Sequence, residues 1–274
     1  MALRSVLKTS CCRTRRSFTN QSTSSQWFEE LLKKRQFTPS FDVTREIDHT
    51  LLKKLLLLSQ TAPSSFNLQP FKLIVIRSAS AKRALSESML GANARRVLEA
   101  PVTVVYVSDN EPIQLTQQLM DIESAGGADP SYINSLPAIL GTVFGNGGWL
   151  ATRLRKAVTH LASPLTPAPV IPLDLNTWST KNTVFAAQTF MLACTSSGLS
   201  TAPMEGFDER RVCFALNIPT DRYKVPLVIS VGYAKIEPVV IRNKKRYPLE
   251  DICFEDRFGQ KLVDAKSIPD DHIS

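Results

Sequence analysis

Length, composition and charge exclude several classes of protein. The chain has 274 residues, 43% of them hydrophobic and 21% charged, with a formal net charge of +8. This is enough for one large packed domain or two small ones. Three histidines, and five cysteines without a CxxC pair, argue against a metal site, a disulfide framework and a Ser-His-Asp hydrolase. No apolar run is long enough to span a bilayer, so membrane insertion is not expected.

The first residues of the chain are basic and lack carboxylates. Their cations are Arg4, Lys8, Arg13, Arg15 and Arg16, and Glu29 is the first acid. A leader rich in Arg, Ser and Thr is typical of an organellar transit peptide. We therefore predict a mitochondrial transit peptide over residues 1–25, cleaved near residue 18, and a location in the matrix. A plastid or cytoplasmic location, or a disordered basic tail, is the alternative.

In chain order, the sequence predicts helices and three buried strands. The clearest early helix is Ile47–Gln60. Leu51, Leu55 and Leu58 form an apolar face at helical spacing, and Asp48 is placed as the N-cap. The other predicted helices are Trp27–Lys34, Ala81–Leu90, Trp149–Leu161 and Thr177–Ser197, and the strands are Phe71–Ile76, Pro101–Val107 and Val225–Tyr233.

The middle of the chain predicts little continuous core. Glu123–Ile171 contains paired glycines and a proline-rich run over Ser163–Pro172, which indicate loops and short helices. No internal repeat and no Gly/Ser-rich linker divides the chain. We therefore predict one α+β domain over residues 26–255, with an excursion at about residues 110–175, and a C-terminal tail over residues 256–274.

Glycine loops that bind phosphate are missing from the sequence. Neither GxGxxG nor GxxxxGK followed by Ser or Thr occurs, which disfavours a Rossmann domain and a P-loop. Any bound phosphate is therefore expected to be held by arginine and lysine side chains. The basic charge does not predict a nucleic-acid partner, because no basic stripe is interleaved with aromatic residues.

The string from Ala62 to Phe71 is the most specific motif. It joins a predicted helix to a predicted strand with two Ser hydroxyls, two amides and two prolines, donors that suit the edges of a flat heterocycle. From composition alone, an ordinary helix-to-strand turn explains it equally well. The string resembles the flavin-binding loop of the nitroreductase family, Ala-Pro-Ser-Ser-x-Asn-x-Gln-Pro followed by an aromatic residue.

The resemblance continues in the family's order on both sides of this loop. Lys34-Arg35 is similar to the N-terminal phosphate segment, and Asn93 to Arg96 to the Asn-x-x-Lys or Arg element. Ala202 to Asp208 is similar to the loop whose backbone amides approach flavin N5, and Lys244 to Pro248 to the C-terminal basic element. Alone, each of these strings is compatible with surface charges, a helix cap or a turn. Together and in order, they favour a site.

The resemblance implies a fold, a cofactor and a partner. The fold is α+β and nitroreductase-like, with a central, mainly antiparallel sheet flanked by helices, in an intertwined homodimer. The implied cofactor is FMN, with the loop at Ser64 from one subunit and Asn93 from the other. The residues expected to bind it are Arg35, Gln36, Phe37, Pro63, Ser64, Ser65, Asn67, Asn93, Arg96, Met204, Glu205, Gly206, Lys244 and Arg246.

One element departs from the family's pattern. Where the family usually shows Arg-x-Ser-x-Arg or Lys, Phe37 and Pro39 stand at the second and third positions and only Arg35 is retained. A hydroxyl and a cation are therefore missing from the expected site. Lys244 and Arg246 are expected to carry more of the phosphate's charge.

The implied activity is that of an FMN-dependent NAD(P)H oxidoreductase without catalytic protein residues. In the family, NADH or NADPH reduces the flavin and an acceptor then takes its place, giving ping-pong kinetics. Arg96 is expected near the N1 and O2 edge, where a cation stabilises the negative charge of the reduced ring. The expected acceptor is a nitroaromatic, a quinone or a related small molecule, with enoates and halogenated phenols open.

Two other functions stay open at this point. A relative that uses flavin for dehalogenation, or for fragmenting the flavin, needs a dedicated lid, which the excursion does not visibly supply. A degenerate flavin-fold protein that only binds, without catalysis, is suggested by the losses at Phe37 and Pro39. A colour test separates the last of these from an enzyme.

Overall fold

The computed structural model describes residues 21–144, 153–154, 157–158, 161, 174–235 and 245–262. The chain forms two compact units. The larger unit is Lys34–Lys244, and the smaller one joins Met1–Lys33 to Lys245–Ser274. In the described part, no helix is long and apolar enough to cross a membrane.

The described helices and strands alternate along the larger unit. The helices are α1 (Gln21–Lys34), α2 (His49–Gln60), α3 (Ala79–Ser86), α4 (Ala92–Glu99), α5 (Thr116–Ala125), α6 (Pro130–Phe144), α7 (Leu175–Ser196), α8 (Glu209–Ala215) and α9 (Leu249–Ile252). The strands are β1 (Phe71–Ile76), β2 (Val102–Asp109), β3 (Ser200–Met204) and β4 (Tyr223–Gly232). Helix α9 and nearly all of α1 belong to the smaller unit.

The four strands form one antiparallel sheet in the order β1-β2-β4-β3. Every residue of β2 is buried, as expected for a central strand. Strands β1 and β3 are the two edges, separated by three interstrand steps of about 4.8 Å, or roughly 14 Å. The predicted α+β class with a central antiparallel sheet flanked by helices is confirmed.

The core lies on both faces of the sheet because side chains alternate along the strands. On one face Val104 of β2 packs with Leu55 of α2 and Phe190 of α7. On the other face Val105 of β2 packs with Val97 of α4. Helices α4 and α8 therefore cover the face opposite to the long helix α7.

Helix α2 confirms one prediction and corrects another. The Asp48 carboxylate accepts from the backbone N–H groups of Thr50 and Leu51, so it is the N-cap that the sequence predicted. The predicted apolar face was partly wrong, since Leu55 is buried and Leu51 packs against the core but Leu58 does not. The buried residues of α2 are Leu52, Leu55 and Ser59, and Leu58 is 38% exposed.

The strand predictions were right in position and partly wrong in burial. The bounds of β1 are those predicted, but only its end residues Phe71 and Ile76 are buried, because β1 is an edge strand. Strand β3 was not predicted. It is short, and Pro203 lies within it. Proline is tolerated there because β3 is also an edge strand.

The prediction of only loops and short helices in the middle was partly wrong. Helix α6 has 15 residues, although Pro137 lies inside it. A separate hydrophobic cluster joins Leu119 of α5 and Leu140 of α6 to Trp178 of α7. Of the predicted helix Trp149–Leu161, residues 153–154, 157–158 and 161 are helical. The rest of that helix and the proline-rich run lie outside the described residues.

Candidate functional site

The first group of predicted site residues lies at the β3 edge of the sheet, where the loop after β3 meets the start of α4. The Gly206 carbonyl accepts from Asn93 Nδ2 at 3.0 Å and from the Leu90 backbone N–H at 2.9 Å. A Cβ at Gly206 would stand 2.9 Å from Asn93 Nδ2, which is too close. Glycine is therefore needed here so that the Asn93 amide can reach the loop backbone.

Arg96 extends this group by one turn of α4. Its Nη1 donates to Asn93 Oδ1 at 2.6 Å. Its guanidinium carbon lies 4.8 Å from the centroid of the Phe37 ring. Its Nε is buried and has no hydrogen-bond partner within the described residues. The chain of contacts thus runs from Gly206 through Asn93 and Arg96 to Phe37.

The segment that carries Arg35 and Phe37 runs beside β3. Phe37 forms an isolated parallel bridge with Thr201, and the Thr38 N–H donates to the Thr201 carbonyl at 3.2 Å. Thr38 is buried, and its Oγ1 donates to the Ser40 carbonyl at 3.2 Å. The backbone at Phe37 is therefore fixed by the sheet, and the family's missing hydroxyl is not replaced by Thr38.

The second group lies at the opposite edge of the sheet, the β1 edge, in the loop that leads into β1. The Gln69 N–H donates to Ser64 Oγ at 2.9 Å, and the Ser65 N–H donates to Asn182 Oδ1 at 2.8 Å. Asn182 is buried in α7 and its Nδ2 donates to the Trp178 carbonyl at 2.7 Å. Sequence reasoning missed Asn182, because its burial and its contact with Ser65 are visible only in the structure.

The amides of this loop are oriented by a carboxylate from α5. Asn67 Nδ2 donates to Glu123 Oε1 at 3.1 Å, and Gln69 Nε2 donates to Asn67 Oδ1 at 3.2 Å. A carboxylate only accepts hydrogen bonds. The Asn67 amide must therefore present its nitrogen to Glu123 and its oxygen to Gln69.

The cysteines of the larger unit are not activated nucleophiles. Burial raises the pKa of the Cys194 thiol well above its usual range. Burial, followed by the nearby Glu209 carboxylate, also raises the pKa of Cys213. Since the thiolate is the reactive form, both residues are inert core thiols.

A family model described as "Nitroreductase family" matches residues 13–233 of the chain. The chain belongs to the nitroreductase family. A protein of Thermus thermophilus named NADH dehydrogenase is 27% identical over 202 residues, which are 74% of this chain and 83% of that protein.

Two solved structures show the same fold. A protein from Exiguobacterium sibiricum named as a nitroreductase, in complex with FMN, has a TM-score of 0.65 at 22% identity, covering 82% of this chain and 95% of the other. A protein from Staphylococcus epidermidis named as an NAD(P)H:FMN oxidoreductase has a TM-score of 0.64 at 20% identity, covering 82% and 94%. The architecture is thus that of a nitroreductase.

In this nitroreductase-family chain, the predicted site residues fall into two groups and a remainder. At the β3 edge lie Arg35, Gln36, Phe37, Asn93, Arg96, Met204, Glu205 and Gly206. In the loop before β1 lie Pro63, Ser64, Ser65 and Asn67. The Met204 side chain is buried in the core, and Met204 is paired with Val228 of β4. Lys244 lies outside the described residues, and Arg246 belongs to the smaller unit, where its Nη1 donates to the Lys245 carbonyl at 3.2 Å.

Proposed function

We propose that the protein is an FMN-dependent NAD(P)H oxidoreductase that reduces a nitroaromatic, a quinone or a related small organic acceptor by ping-pong hydride transfer. The observation that carries the proposal is the contact chain from Gly206 through Asn93 to Arg96, on the residues where the family resemblance expects the flavin. The relatives support it, since one is named NADH dehydrogenase, one is an FMN complex and one is named an NAD(P)H:FMN oxidoreductase.

The residues at the β3 edge offer polar groups to the edge of a flat ligand. The absence of a Cβ at Gly206 lets the Asn93 amide bond to the loop backbone, which sets the position of that amide. Arg96 offers a cation whose buried Nε has no partner within the described residues. FMN, when bound, supplies the hydride chemistry, and the protein supplies position and electrostatics. In this proposal Arg96 stabilises negative charge on the pyrimidine edge.

We further propose that a homodimer completes the site. Within one chain the two groups lie at opposite edges of the sheet, whose edge strands are about 14 Å apart by strand spacing, so the loop at Ser64 would face the Asn93 group of a partner subunit. Leu57 of α2 and Val184 and Phe185 of α7 are exposed apolar side chains. A face of this kind is typical of a surface that another protein covers.

The cofactor proposal is tested by purifying the full chain and recording its visible spectrum with and without added FMN. A yellow protein that is bleached under anaerobic conditions by NADH or NADPH, and recovers its colour with a nitroaromatic or quinone, is the expected result. A protein that stays colourless after FMN is added would support the degenerate binding module instead.

The dimer proposal is tested by sedimentation at micromolar concentration. The protein is expected to sediment as a dimer, since a site made from two chains binds FMN only when they associate. A flavin-loaded monomer would contradict a shared site.

We propose a mitochondrial location on the strength of the basic leader. A chain lacking residues 1–18 is expected to stay in the cytosol, because five cations are removed with them. Import of the truncated chain into mitochondria would show that residues 1–18 are not the targeting signal.

A further inference from the structure

Phe37 stands where the family usually has a hydroxyl, and its ring contacts Arg96. The guanidinium carbon of Arg96 is 4.8 Å from the ring centroid. The Phe37 backbone is held by its bridge to Thr201 in β3. The bridge fixes the backbone from which the ring projects, and the ring, which is 45% exposed, contacts Arg96 from there.

Arg96 needs a second constraint, which the ring supplies. Within the described residues, its one side-chain hydrogen bond runs from Nη1 to Asn93 Oδ1 at 2.6 Å. A single hydrogen bond fixes one point of the planar guanidinium and leaves the plane free to turn about it. A second contact on the ring face removes this freedom, because a guanidinium stacks on an aromatic face.

The same contact explains why residue 96 is an arginine here. The ammonium of a lysine is a compact point charge with a strong hydration shell, whereas a guanidinium is planar and weakly hydrated. A ring at position 37 therefore favours arginine over lysine at position 96. It does so more than a hydroxyl at position 37 would. The departure at Phe37 and the identity of Arg96 belong to one arrangement.

We propose that Phe37 is a positioning residue: it stands where the family usually has a hydroxyl, and it holds the guanidinium of Arg96 in the orientation set by Asn93. This inference rests on the proposed function, because the ligand that Arg96 meets is the flavin ring. Phe37 acts through Arg96 and serves the isoalloxazine end of FMN. It does not serve the phosphate.

The test is a double-mutant cycle at positions 37 and 96. Phe37→Ser, Arg96→Lys and the double variant are compared with the wild-type protein for FMN affinity, riboflavin affinity and the midpoint potential of the bound flavin. Each single change is expected to weaken both ligands about 2- to 30-fold and to lower the potential. The double variant is expected to bind both ligands about as well as the single variant with the lower affinity, because each change breaks the same contact.

Two further variants separate stacking from packing. Phe37→Tyr keeps the aromatic face and is expected to match the wild type. Phe37→Leu keeps apolar bulk without the ring and is expected to match Phe37→Ser, and it carries the test if the serine variant does not fold. Additive effects in the cycle, or a Phe37→Leu protein with wild-type affinity and potential, would overturn this inference but not the proposed function. A wild-type protein that binds no FMN would overturn the proposed function with it.

Discussion

The two edges of the sheet hold their parts of the site in different ways. At the β3 edge, Asn93 is carried by α4, which is anchored in the core by Val97, and Phe37 is bridged to the sheet. At the β1 edge, the loop is held by hydrogen bonds from Ser65 and Asn67 to side chains of helices α7 and α5. The first group is preformed by packing and by hydrogen bonds among its own residues, while the second is held by hydrogen bonds to two helices and by the buried Leu68.

The β1-edge loop also carries backbone strain that the β3 edge lacks. Phe66, Asn67 and Gln69 have φ values of 56°, 56° and 46°, in the left-handed region. For a residue other than glycine or asparagine, this conformation costs about 1–2 kcal/mol. The edge contact of the Phe66 ring with Phe144, at 6.0 Å between centroids, offsets part of that cost. Removing a contact should therefore change this loop more easily than the β3 edge.

The largest expected effect on stability is at the ion pair between Asp109 and Arg222, which lies at the C-terminal end of the loop before β1. The fully buried Asp109 carboxylate accepts from Arg222 Nε at 2.8 Å and Nη2 at 2.6 Å, and the Asp109 N–H donates to the Pro70 carbonyl. Arg222→Met leaves this carboxylate without its partner. The free energy of unfolding in urea is expected to fall by about 3 kcal/mol, the low end of the range because Arg222 is partly exposed.

The control for that experiment is Arg210→Met, which changes an exposed arginine of α8. Its free energy of unfolding is expected to stay within about 0.5 kcal/mol of the wild type. Equal losses in the Arg210 and Arg222 variants would mean that the Asp109 pair does not stabilise the end of the loop.

The next effect concerns Asn182 in α7, which holds the loop through the Ser65 N–H. Asn182→Leu removes the acceptor of the Ser65 N–H, so the free energy of unfolding is expected to fall by about 1–3 kcal/mol. Hydrogen exchange at the Ser65 amide is expected to rise. Thr183→Val is the matched control, since Thr183 is also buried but its Oγ1 donates to the Ser179 carbonyl within α7, with no contact to the loop among the described residues. Faster exchange at Ser65 in both variants would indicate general loosening of α7 instead.

At the β3 edge, Gly206→Ala is expected to affect binding more than stability. Its Cβ meets the mobile end of the Asn93 side chain, so that amide turns away at a cost of about 1 kcal/mol. FMN and riboflavin affinity should both fall while the melting temperature changes little. Gly232→Ala is the contrasting variant, because its Cβ would lie 2.5 Å from Pro101 Cδ. It is expected to lose about 1–3 kcal/mol of stability. A larger loss of stability in the Gly206→Ala variant than in the Gly232→Ala variant would contradict a preformed β3 edge.

Local patterns predicted much of this molecule, and contacts between distant residues were harder to predict. The Asp48 cap and the Ala62–Phe71 loop depend on neighbouring residues, so sequence order is enough to find them. Asn182 contacts Ser65 from 117 positions away, and nothing near either residue announces the pairing. The Phe37–Arg96 contact is similar: the sequence showed a missing hydroxyl but not what the ring touches.

The smallest effect tests whether the excursion tunes the loop. Because the Glu123 carboxylate can only accept, it fixes the orientation of the Asn67 amide, and Glu123→Gln removes this restriction since a glutamine can also donate. Asn67 is exposed and Glu123 is partly exposed, so the free energy of unfolding should change by less than about 0.5 kcal/mol. FMN affinity is expected to fall about 2- to 5-fold, the equivalent of roughly 0.4–1 kcal/mol.

The control for this last variant is Glu87→Gln, an exposed glutamate after α3, which should leave FMN affinity unchanged. Identical FMN affinity in the Glu123 variant and the wild type would show that α5 only packs beside the loop. A selective loss at Glu123 would mean that the excursion helps to set the geometry of the loop before β1. Changes in the excursion could then alter cofactor binding without any change to the loop sequence.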